Sequence, residues 1–119
     1  MGSETSVSGK THLACIEGKN IVIGDDCMFS SDIILRTGDS HSVVDLQNNR
    51  INPSKSIEIG NHVWIGNKVT VNKGVFVPNN SIIGTGAVVT KTFENGNIII
   101  AGNPAKIIKS DINWDRRRM

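Results

Sequence analysis

The chain has 119 residues, a formal net charge of +2 and 20% charged side chains. That length holds one domain, the small charge leaves no footprint for nucleic acid, and no apolar run reaches the roughly 20 residues that span a membrane. With 4% aromatics, no Tyr and 12 Gly, the composition favours strands and turns over amphipathic helices.

Residues 1–20 keep no clear rhythm, and nothing is assigned to His12 within them. Cys15 and Cys27 match no metal-ligand spacing and no signal segment opens the chain, so the sequence reads as a reduced cytoplasmic protein. From Ile23 onward the large apolar residues recur every sixth position, at Ile23, Phe29 and Leu35, with Cys27 and Ile33 four places after the first two. Cys27 thus falls in a small inward slot and is expected to pack rather than to react.

The rhythm returns at Ile57. Ile59, Ile65, Val71, Val77, Ile83 and Val89 stand six apart; Val63, Val69, Val75, Ser81 and Ala87 follow four places on, and Gly60, Gly66, Asn72, Pro78 and Gly84 come directly after the large residue. A period of six belongs to neither a strand nor a helix, so it describes a strand-plus-turn unit, three of which close a coil of about 18 residues. The expected fold is an all-β parallel β-helix. Its coils cover 21–38 and 57–92, and the Gly and Asn turn slots are expected to take positive φ.

Residues 39–56 break the pattern, because the extrapolated inward slots fall on His41, Gln47 and Pro53. This segment reads as a loop ejected from the wall, which makes His41 the candidate functional residue, with Asp39 or Asp45 available to orient it. Residues 93–119 form an extension outside the repeat. Within it Trp114 is expected to pack against a coil or a neighbouring subunit and so close an exposed edge, and "DRRRM" to be a solvated tail; His62 is expected to lie exposed in a turn.

The stretch "IEIGNHVWIGNKVTVNKGVFVPNNSIIGTGAVVTK" followed by "AGNPAKIIK" resembles the hexapeptide-repeat acetyltransferases, which include galactoside, maltose, xenobiotic and capsular or lipopolysaccharide sugar O-acetyltransferases. The resemblance runs from about residue 21 to Trp114. It implies a left-handed coil, a homotrimer, acetyl-CoA as co-substrate without a metal, and acetyl transfer to a hydroxyl of a sugar or related small acceptor. By position it implies His41 as general base and Trp64 at the reaction site, or alternatively at the trimer interface. Asn67, Thr85, Gly86 and Thr90 would line the pantetheine arm. Lys91, Lys106 and Lys109 would face the CoA phosphates or stand as ordinary solvated lysines. Family members carry further coils ahead of the histidine loop, so a short trimeric scaffold or binding module without transfer activity is the alternative. A zinc site like that of the related carbonic anhydrases is disfavoured, because His12, His41 and His62 lie 29 and 21 residues apart and reproduce no whole-coil spacing.

Overall fold

The six-residue rhythm folds into a three-sided prism in the computed structural model, which describes residues Met1–Met119. Every regular element is a strand. On one face β4 (Met28–Phe29), β7 (Trp64–Ile65) and β10 (Ile82–Ile83) pair in parallel. The next face carries β5 (Ile33–Arg36), β8 (Thr70–Val71) and β11 (Val88–Val89), and the third carries β3 (Ile21–Ile23), β6 (Ile57–Ile59) and β9 (Phe76–Val77). The large residues of the rhythm, with Val63, Val69, Val75, Ser81 and Ala87 in the small slots, are all buried in the interior. Each Ile or Val so buried contributes roughly 1.5–3 kcal/mol, and their alternation fixes which face of every short strand turns inward.

The register shows how the loop is accommodated. Adjacent coils are offset by 18 residues where the repeat is unbroken, as between Asn61 and Asn79, but by 36 between Asp25 and Asn61. Residues 39–56 leave the wall and return at the same corner, so Phe29 still stacks on Ile65. The out-of-phase start of the chain is itself a coil: β1 (Ser6–Val7) pairs with β4 and β2 (Thr11–Ala14) with β5. Its offset is 22, as between Thr5 and Cys27. The extra length lies in the turn around Ile16–Lys19, where Glu17 and Gly18 have positive φ. At the other end β12 (Ile98–Gly102) continues the first face, and β13 (Ala105–Ser110) folds back antiparallel to close it.

The turn glycines serve a purpose other than the one expected. Gly24, Gly60, Gly66 and Gly84 do not have positive φ; the left-handed residues come two places later, at Asp26, His62 and Asn80 on one corner and Asp32, Lys68 and Gly86 on the next. The slot requires space instead. A Cβ on Gly24 would lie 2.3 Å from Asn61 Oδ1 and 2.5 Å from the Gly60 carbonyl oxygen. That space is filled because Asn61 Oδ1 accepts the Asp25 N–H at 2.8 Å, and Asn79 Oδ1 accepts the Asn61 N–H at 2.7 Å. A column of side-chain oxygens thus joins each corner to the preceding coil.

Gly24→Ala should therefore lower the melting temperature by the equivalent of ~1–3 kcal/mol, the usual cost of overpacking. Lys68→Gly, which only relieves a left-handed backbone, should change stability by less than ~1 kcal/mol. Thermal denaturation of the two variants side by side separates a need for space from a need for φ.

Candidate functional site

The ejected loop is ordered by its own hydrogen bonds. Val44 and Arg50 form an antiparallel bridge, the Ile51 N–H donates to the Val43 carbonyl at 2.8 Å, and Asp45 caps the turn by accepting the Gln47 and Asn49 N–H groups at 2.9 and 2.8 Å. The Asn49 N–H is the main cause that holds the Asp45 carboxyl below its ordinary range. Leu46 at the tip is fully exposed, and Val43, Val44 and Ile51 are also exposed. His41 lies on the outgoing limb, exposed, with its main-chain carbonyl accepting Asn52 Nδ2 at 2.8 Å.

Neither flanking acid takes up the orienting role within this chain. The Asp39 carboxylate accepts Lys73 Nζ at 2.6 Å and Asn52 Nδ2 at 3.0 Å. The Lys73 ammonium first and Asn52 second pull its pKa down. Asp45 is committed to its turn. Asp39 and Asp45 are anchors of the loop, and the His41 ring is left free on one chain.

The remaining candidate residues divide between two edges of the prism. Trp64 projects from the first face, in register with Met28 and Ile82. Asn67, Thr85 and Gly86 occupy the corner after that face. Asn67 Oδ1 is used within the wall, accepting the Ser31 N–H at 2.9 Å and its hydroxyl at 3.1 Å. Gly86 leaves open space where a side chain would stand. Lys68, one coil earlier, has the same left-handed backbone with a full side chain, so φ alone does not account for glycine at 86. Thr90 and Lys91 lie at the following corner, the one from which the His41 loop departs. Lys91 and Lys106 line one surface cavity with Phe93, Glu94 and Asn95, whereas Lys109 does not border it.

The C-terminal tail forms an anchor whose polar partners sequence reasoning missed. Trp114 packs against a coil, as expected, but along the wall, and β13 rather than Trp114 closes the end of the prism. Its indole stacks on His62 with centroids 3.8 Å apart and planes 4° from parallel, and its centroid lies 6.1 Å from that of Trp64. His62 is half-buried rather than exposed, with Nδ1 2.8 Å from Asp26 Oδ2 and Nε2 2.9 Å from the Trp114 carbonyl. Both partners are acceptors, so only the imidazolium makes both contacts together. Arg116 is not free in solvent either: it reaches Asp26, Ser6 Oγ and the Cys27 carbonyl. The one available signal was that Asp26 and His62 hold equivalent turn positions in stacked coils. Cys27 itself is buried, and burial is the main cause that raises its thiol pKa, in keeping with a packing role.

No group of three His, Cys, Asp or Glu side chains is placed to hold a metal, and no helix is long and apolar enough to cross a membrane. No protein-family model matches the sequence. The chain is 47% identical over 98 residues to a polysialic acid O-acetyltransferase of Escherichia coli O1:K1 / APEC, covering 82% of this chain and 32% of that protein. Among solved structures it is similar to the polysialic acid O-acetyltransferase OatWY, with a TM-score of 0.87 and 39% identity over 98% of this chain and 59% of the other. It is also similar to a galactoside acetyltransferase in complex with coenzyme A, with a TM-score of 0.70 and 25% identity over 96% and 66%. The chain spans only part of the length of each.

The tail anchor carries its own pH signature. His62 is the main cause holding the Asp26 carboxyl below its ordinary value, and Arg117 holds that of Asp115 down to about 2. A depressed carboxylate stabilises the folded form above the unfolded pKa and loses that contribution as pH falls through the folded one. Trp64 and Trp114 fluorescence should therefore change as pH falls below the ordinary carboxylate range, toward about 2. Asp26→Asn, which has no carboxylate to protonate, should give a neutral-pH spectrum closer to the acid form and a smaller change on acidification.

Proposed function

The chain belongs to the hexapeptide-repeat acetyltransferases, whose fold is a left-handed parallel β-helix, and from that premise we propose that it transfers the acetyl group of acetyl-CoA to a sugar hydroxyl, with His41 as general base. The relatives act, by name, on polysialic acid and galactosides, and this is the basis for assigning a sugar acceptor. The observation that carries the reading is the placement of His41: it stands on the one loop ejected from the repeat, with an unengaged ring, on the prism edge that carries Thr90 and Lys91 two coils further on.

In this reading neutral His41 takes the proton of the acceptor hydroxyl as that oxygen bonds to the acetyl carbonyl carbon. The carbon–sulfur bond breaks, and His41 returns the proton to the departing CoA thiolate. Imidazole suits both halves because its proton affinity lies near neutral pH. An N–H group near the reacting carbonyl stabilises the negative charge on its oxygen. Lys91 and Lys106, which share a cavity, supply ammonium groups for the CoA phosphates; Lys109 stands outside that cavity and is the weakest of the three.

The proposed assembly is the homotrimer that the family resemblance implies, and the division of the candidate set between two edges supports it. Trp64, Asn67, Thr85 and Gly86 belong to one edge of the prism and His41, Thr90 and Lys91 to another, so a groove between neighbouring copies unites them. A cyclic assembly in which one edge of each copy meets the other edge of the next produces three such grooves. The exposed apolar tip at Leu46 supports this arrangement, since a neighbouring copy would cover it.

His41→Ala should lower kcat by ~10²–10⁴-fold while acetyl-CoA still raises the melting temperature by binding the folded form. Full turnover in that variant removes His41 from the mechanism. Binding of acetyl-CoA to a folded trimer with no transfer to any sugar tested supports the scaffold or binding-module alternative. Sedimentation equilibrium should return three times the chain mass.

A further inference from the structure

We propose that Asn52 is the positioning residue of His41; this rests on the reading of His41 as general base. Asn52 is 8% exposed, yet its position two residues after an arginine and just before Pro53 gave no sign of a role. Its side chain makes every hydrogen bond an amide can make. Oδ1 accepts the Val43 N–H at 2.6 Å and Arg50 Nε at 3.2 Å; Nδ2 donates to the Asp39 carboxylate at 3.0 Å and to the His41 carbonyl at 2.8 Å. The orientation of the amide is set by these partners, two being donors and two acceptors. One side chain thus holds the residue two before His41, His41 itself and the residue two after it.

The pin is fixed from both sides of the prism wall. Arg50 forms a bidentate pair with Glu17 at 2.8 and 2.7 Å and also donates to the Asn52 carbonyl at 3.2 Å. Glu17 lies in the turn whose extra residues put the start of the chain out of phase, and the Arg50 guanidinium is the main cause holding its carboxyl below the ordinary range. On the other side Lys73, from the coil below, holds Asp39. A base on an exposed loop loses catalysis when its geometry drifts, and a misplacement of about 1 Å costs on the order of 100-fold. The Glu17–Arg50–Asn52 chain removes that freedom, so the out-of-phase turn of the first coil serves the site.

Asn52→Asp tests the donor half alone, because it keeps the shape and both acceptor contacts while turning a carboxylate toward Asp39 and the His41 carbonyl. The measurements are CoA release from acetyl-CoA with polysialic acid and a galactoside as acceptors, and ¹⁵N relaxation of the residue 41 amide. The expected result is a fall in kcat on the order of 100-fold with KM for acetyl-CoA unchanged, increased mobility at His41, and no further loss when the change is added to His41→Ala. Glu17→Gln, milder for folding, should shift both readouts in the same direction by a smaller amount. Wild-type kcat and wild-type mobility in Asn52→Asp overturn the proposal. If His41→Ala is itself fully active, the base assignment fails, and the relaxation data alone then decide whether Asn52 pins the loop.

Discussion

Everything in this molecule is subject to the narrowness of the prism. Each side of a coil has room for one large and one small apolar residue, so strands β1 to β11 are two to four residues long and every coil must close on the one before it. A chain under that constraint tolerates an insertion only if it leaves and re-enters the wall at one corner. Residues 39–56 do so between Arg36 and Ile57, and the stack continues beneath them as if they were absent.

The same closeness explains the polar detail of the corners. Stacked turns are near enough that a glycine in one coil marks the place of an asparagine oxygen from the next, so a backbone N–H that would face outward is satisfied within the wall. Residues without a partner in the column are free to serve other ends. Asp26 and His62 use their turn positions to hold the returning tail, and Gly86 leaves its position uncovered.

Two ion-pair systems fasten irregular segments to the regular body, and both are exposed enough that each pair alone contributes little. Their effect is geometric. Glu17–Arg50 and Lys73–Asp39 fix the ends of the histidine loop, while Asp26–His62 and Arg116 set Trp114 beside Trp64. The loop and the tail are thereby held to the wall from different sides.

The repeat was legible from the sequence alone because its cause is local: an apolar residue every sixth position fills the interior of its own coil, whatever lies elsewhere. The break around His41 was legible for the same reason, as the place where those residues stop. Tertiary structure alone decided what depends on residues far apart in the chain. Glu17 meets Arg50 across 33 residues and His62 meets Trp114 across 52, and no period links them. The free turns of the first coil, the buried Asn52 and the tail of arginines each looked unremarkable in sequence, since a polar side chain takes its role from the partner that stacking brings to it.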